Sequence, residues 1–94
     1  MFEITDNKGF RITFDNGYTV SVQFGAGNYS SNRAETYTTS MNKPMSAELA
    51  ETALLDPDGN FVAYEGDDVQ GYRTPEQVLA LLEYASKRMA WPEM

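Results

Sequence analysis

Phe10-Arg11-Ile12-Thr13-Phe14-Asp15-Asn16-Gly17-Tyr18-Thr19-Val20-Ser21-Val22-Gln23-Phe24 alternates apolar with polar residues on both sides of a turn signal. Alternation with a period of two is the signature of half-buried strands. The length of the turn decides how their faces match. A two-residue Asn16-Gly17 loop would set Phe14 against Thr19 and mix apolar with polar side chains, because a one-residue slip exchanges the two faces of a strand. A three-residue loop, Asp15-Asn16-Gly17, sets Phe14 against Tyr18, Ile12 against Val20 and Phe10 against Val22. Every apolar side chain then falls on one face, and Gly17 supplies the left-handed conformation that closes such a bulged turn. The stretch reads as an antiparallel hairpin with one buried face.

Beyond the hairpin, residues 25–44 hold almost no aliphatic side chains. Such a stretch either contains a short edge strand around Tyr37, within the β-prone run Thr36-Tyr37-Thr38-Thr39, or is kept as a functional loop. Residues 48–55 are rich in Ala, Glu and Leu, and Ser46 is a suitable cap, which together suggest a helix. Asp56-Pro57-Asp58-Gly59, however, has the composition of a hairpin turn, and residues 60–64 form a strand that needs an antiparallel partner. Strand is therefore the favoured reading of 48–55. Its register stays open, because Leu54, Leu55, Phe61 and Val62 place apolar residues on both faces.

Thr74-Pro75-Glu76-Gln77 opens the clearest helix, with a cap hydroxyl, proline at the first position and a glutamine placed to complete a capping box. Val78, Leu82, Ala85 and Met89 recur at helical spacing with Leu79 beside them, and Glu83 and Lys87 pair on the outside. Pro92 ends the helix by about Ala90. The expected fold is α+β, a single domain over residues 1–94. Two hairpins form an antiparallel sheet of about four strands, with the one C-terminal helix packed on one face. The alternative is one β-hairpin with two helices.

Fourteen acidic against seven basic residues leave a net charge of −7. The excess is confined to one half: residues 1–45 hold four acids and four bases, whereas residues 46–94 hold ten acids against Arg73, Lys87 and Arg88. An acidic surface repels nucleic-acid phosphates and anionic membranes, so direct nucleic-acid binding and membrane association are not expected. With no cysteine and no histidine, thiolate zinc sites, thiol nucleophiles and the commonest general base are excluded. No apolar run reaches the length of a membrane span and the first residues lack a signal-peptide pattern, which makes the cytoplasm the expected compartment.

The remaining motifs carry little chemistry. Gly25-Ala26-Gly27-Asn28 follows a strand as phosphate-binding loops do, but no helix opens behind it and no lysine follows. Asp56, Asp58 and Asn60 have calcium-loop spacing, yet Phe61 occupies the position that needs glycine. Glu65-Gly66-Asp67-Asp68 gathers three carboxylates without a second ligand pair. No metal, no cofactor and no catalytic residue is expected. Exposed aromatics are enriched among interface anchors, and polar loop residues such as Asn28 adapt their hydrogen bonds to a partner. The candidate partner-binding residues are therefore Asn28, Tyr29, Arg33 and Tyr37 from the long loop, with Asp56, Asp58, Glu65, Asp67 and Asp68 as an acidic patch.

Lys8-Gly9-Phe10 through Phe24-Gly25-Ala26-Gly27-Asn28-Tyr29, and Asp58-Gly59-Asn60-Phe61-Val62 with Gly66-Asp67-Asp68-Val69-Gln70-Gly71-Tyr72 and Thr74-Pro75-Glu76-Gln77-Val78, resemble small uncharacterised proteins of bacteriophages and prophages. In size and charge the chain is similar to anti-CRISPR inhibitors and other anti-defence proteins. The resemblance implies a phage-encoded, non-enzymatic inhibitor that binds and occludes a host defence protein, a nucleic-acid-handling component, in the cytoplasm of the infected bacterium. Self-association as a homodimer stays open. The alternative function is a small-ligand binder in which residues 25–33, with Arg33 and Arg73, close over a nucleotide-like anion.

Overall fold

The computed structural model describes residues 1–5, 8–25, 29–30 and 46–88. Strands β2 (Gly9–Thr13) and β3 (Thr19–Gln23) pair antiparallel, with Ile12 opposite Val20 and Phe10 opposite Val22, as face matching requires. The turn closes through Gly17 N–H to Phe14 O and Phe14 N–H to Tyr18 O, both 2.9 Å, with Gly17 at φ 93°. The same device recurs at Pro57-Asp58-Gly59. There Gly59 adopts φ 84°, and Gly59 N–H to Asp56 O and Asp56 N–H to Asn60 O are both 2.9 Å. A side chain at either glycine would meet the steric cost of the left-handed region.

The second turn joins β4 (Ala50–Leu55) to β5 (Phe61–Val62) and fixes the register that composition left open: Leu54 opposite Val62, Leu55 opposite Phe61. Leu54 is fully buried in the core with Tyr18, Val20 and Val22, and Val62 packs against that cluster. Residues 50–55 form a strand despite their helix-favouring composition because the segment lies between two paired neighbours, a case of tertiary context overriding propensity.

The sheet has six strands where about four were expected. β1 (Phe2–Thr5) pairs with the outer side of β2, and β6 (Val69–Arg73) joins β5 on the far side of β4. Leu54 faces Val62 while the next residue back, Ala53, faces Val69. β5 and β6 are thus one edge strand from which residues 63–68 loop out.

Helix α1 (Pro75–Ser86) starts as its sequence dictates: Gln77 N–H donates to Thr74 Oγ1 at 3.2 Å and Thr74 N–H to Gln77 Oε1 at 2.9 Å, with Pro75 in the first turn. It packs on β3 and β4. The buried face is Val78, Leu81, Leu82 and Ala85. Leu79, assigned to the apolar stripe from its position, is instead 56% exposed, and Leu81 is fully buried. Positions 78, 81, 82 and 85 follow the i, i+3, i+4, i+7 spacing of a single face, which Leu79 falls outside. Met89 lies outside the described residues.

Asn16 does more than turn the chain. Its Oδ1 accepts from Tyr18 N–H at 3.0 Å, while its Nδ2 donates to the carbonyls of Ala85 at 2.7 Å and Arg88 at 3.2 Å. The first hairpin thereby adds side-chain donors to carbonyls at and just beyond the end of α1, where the Ala85 carbonyl also accepts from Arg88 N–H at 3.4 Å. Asn16→Ala is expected to cost about 1–3 kcal/mol, seen as a lower urea midpoint. Asn16→Asp keeps the Tyr18 contact but sets a carboxylate against two carbonyls, and should cost at least as much; a midpoint unchanged in both variants would show that the latch contributes nothing.

Candidate interaction surface

The looped-out segment is a small hairpin of its own. Tyr64 and Asp67 exchange backbone bonds, N–H to O at 3.0 and 3.2 Å, around Glu65 at φ 52° and Gly66 at φ 89°. Two central residues with positive φ define a type I′ turn, whose twist matches the strands it joins. Glutamate is an unusual occupant of the first of these positions, and this hid the turn from sequence reading.

What holds the hairpin is Gln70, only 3% exposed. Its Nε2 donates to Asp67 O at 2.7 Å and Tyr64 O at 3.3 Å, and its Oε1 accepts from Thr52 Oγ1 at 3.1 Å. Tyr64 leans on Tyr84 of α1, with ring centroids 5.0 Å apart. Burial first, and then the Glu65 carboxylate, raise the Tyr64 phenol above the usual tyrosine value, so the ring stays neutral at physiological pH. Glu65 also reaches Arg73 at 3.4 Å.

The five acidic residues named from sequence fall into two groups. Asp56 and Glu65 have structural duties: Asp56 Oδ1 accepts from Asp58 N–H at 2.9 Å and Asn60 N–H at 3.0 Å, locking the turn, and Glu65 pairs with Arg73. Asp58, Asp67 and Asp68 are exposed and form no ion pair among the described residues. Among those residues, no group of three acidic side chains is arranged to hold a metal.

Tyr29 is 50% exposed, and its backbone is fastened at both ends: its N–H donates to Glu51 Oε2 at 2.7 Å and its carbonyl accepts from Tyr72 N–H at 2.8 Å. Ser30, fully buried, accepts from Gly25 N–H at 2.9 Å. The Tyr29 and Tyr72 rings lie 6.3 Å apart. Tyr72, 48% exposed, stands at φ 54° where β6 bulges against β4: Ala50 pairs with Arg73 and Thr52 with Gln70, leaving an extra residue between them. A tyrosine in the left-handed region is strained by about 1–2 kcal/mol. Neither Gln70 nor Glu51 was singled out from sequence, and Tyr72 stood out there only as a loop aromatic of the kind enriched among interface anchors; Gly71, which admits the close approach of Tyr29, was the signal that a bulge lies here.

The outer side of β4 therefore carries, in order, the Asp56–Gly59 turn, β5, the acidic hairpin, β6 and the tyrosine pair. Asp68 and Tyr72 are four residues apart, about 13 Å along a strand. Asn28, Arg33 and Tyr37 lie outside the described residues, as does most of the 25–33 loop of the ligand-binding alternative. Arg73, the other cation of that alternative, is committed to Glu65. It borders an apolar slot of about 290 Å³ between sheet and helix, where Phe10, Phe24, Val78 and Leu82 are among the walls. Among the described residues no helix is long and apolar enough to cross a membrane. Compared with protein-family models, with curated proteins and with solved structures, the chain matches none.

Proposed function

We propose that the chain is a non-enzymatic, phage-encoded inhibitor that binds a nucleic-acid-handling protein of host defence and occludes a basic groove. One observation carries the proposal: the edge of the sheet beyond β4 holds Asp67 and Asp68, exposed and in no ion pair among the described residues, on a hairpin braced from inside by Gln70, beside a strained, half-exposed tyrosine. A solvating acidic loop needs no buried brace, and strained backbone persists only where surrounding structure over-determines it, most often at functional sites. Carboxylates held in place compete with phosphates for a basic groove, and tyrosines add contact area with little rotamer entropy to lose.

The test is phage plating on bacteria that carry a nucleic-acid-guided defence system and express the chain. The wild-type chain should restore plating of a targeted phage. Asp67→Lys with Asp68→Lys should abolish the restoration while melting stays nearly unchanged, since surface substitutions usually cost within about 0.5 kcal/mol. Tyr72→Gly relaxes the left-handed backbone and should hold or raise stability while weakening inhibition. If plating does not rise across a panel of such systems, or the reversed charges inhibit as well as the wild type, the proposal fails.

A further inference from the structure

The two edges of the sheet are built differently. The β5/β6 edge is interrupted by six looped-out residues, bulged at Tyr72 and flanked by carboxylates, all devices that discourage strand addition. The β1 edge is neither interrupted nor bulged, and Glu3 is its one carboxylate. Met1 and Thr13 exchange both backbone bonds, Met1 N to Thr13 O at 2.9 Å and Thr13 N to Met1 O at 2.8 Å. Alternation along an antiparallel ladder then turns the amide and carbonyl groups of Glu3 and Thr5 toward β2, and those of Phe2 and Ile4 away from it. Phe2 is 72% exposed and Ile4 81% exposed. Their side chains lie on the face that carries α1, opposite Ile12 and Phe10, but α1 packs on β3 and β4 rather than over them.

We propose that β1 is a self-pairing edge, at which a second copy of this chain adds its own β1 antiparallel across a two-fold axis through Glu3. That axis sets Phe2 against the partner's Ile4 and Ile4 against the partner's Phe2. All the outward amides and carbonyls of the two residues are then bonded, and the apolar side chains of both copies fall on one face. Charge selects a second copy as the occupant. The described residues of β1 to β3 and their connections balance Glu3 and Asp15 with Lys8 and Arg11, whereas Asp56, Asp58, Glu65, Asp67 and Asp68 face a single cation, Arg73, along the far edge formed by β5, β6 and their turns. Two copies joined through β1 meet at their neutral margins and keep their acidic edges apart. The one like-charge contact is Glu3 against the partner's Glu3, at a position where neither residue bonds across the seam. Each of the two is flanked on β2 by its own Arg11. The inference is independent of the proposed function, because it uses the opposite edge.

Sedimentation of the full chain over a concentration series tests it. The wild type should show reversible dimerisation. Ile4→Pro removes an N–H that points outward and none that β2 uses, which an edge strand tolerates, and should leave a folded monomer. Ile4→Lys keeps the backbone donor and should weaken the dimer by about tenfold or more; it decides the matter if circular dichroism shows Ile4→Pro to be unfolded. Glu3→Gln removes the like-charge contact and should tighten the dimer about two- to fivefold. A wild type that stays monomeric to ~1 mM would overturn the proposal, as would a dimer indifferent to both Ile4 variants or one weakened by Glu3→Gln.

Discussion

Gly9→Ala should be among the most destabilising single substitutions in the chain, lowering stability by about 3 kcal/mol or more. Gly9 sits between two strands, opposite Thr5 of β1 and Gln23 of β3. A methyl group there would run into the carbonyl oxygen of Val22 and lie 2.9 Å from Gln23 Cα. Both obstacles are backbone, so no rotamer change relieves them. Either β2 withdraws from β3, breaking the ladder that orders the core, or the β1–β2 corner deforms. For a chain of this length 3 kcal/mol corresponds to a fall in Tm of roughly 12–24 °C, readable in a thermal melt. A Tm within 3 °C of the wild type would mean that the corner is soft. The close approach would then play no part in the fold.

Gly9 also shows where sequence reading stops. Nothing in its sequence context marks it, because steric demand of this kind comes from a neighbour 13 residues away. Local patterns were legible wherever they carried a single physical signal. Alternation around Asp15-Asn16-Gly17 set the register of β2 and β3, and Thr74-Pro75-Glu76-Gln77 set the start of α1. The strand at 50–55 was reached through its turn and its partner, against its own helix propensity. β1 escaped because Phe2 and Ile4 are only two apolar positions, too few to establish a period. β6 escaped because Val69-Gln70-Gly71-Tyr72-Arg73 has a glycine and a buried glutamine where a strand usually shows apolar alternation.

The candidate surface was half legible. Acidic residues and loop tyrosines were visible as types, and Asp67, Asp68 and Tyr29 are exposed as interface residues must be. Their support was not visible. Asp56 looks like any other aspartate until its two backbone partners are seen, and Glu65 until it reaches Arg73 across the hairpin. Tyr72 stood out only as a loop aromatic, and its strain was not visible because it follows from a bulge in pairing that Gly71 alone hints at.

Gln70→Glu should be as damaging as Gly9→Ala, for an electrostatic reason, and its effect should depend on pH. The change is nearly isosteric, yet it replaces an amide that donates to Asp67 O and Tyr64 O with a carboxylate facing the same two oxygens. The Thr52 hydroxyl that donates to Oε1 can meet only one of its oxygens, and a buried charge left so poorly compensated costs about 3–5 kcal/mol at neutral pH. The new carboxyl can escape by keeping its proton, which restores one donor. Its folded pKa should therefore rise above the unfolded value of about 4.3. Stability lost through this group should return as the pH falls toward that value and be lost again as it rises through the folded pKa. Gln70→Met removes the same hydrogen bonds without adding charge; it should cost about 1–3 kcal/mol and bring no such pH dependence. The difference between the two variants isolates the charge effect. A pH-independent loss equal in both would show that Gln70 acts through packing alone. Both variants leave Asp67 and Asp68 in place but remove their brace, so the proposed inhibition should weaken in any variant that remains folded. Inhibition at the wild-type level from a folded Gln70→Met would mean that the acidic hairpin does not need to be held in order to act.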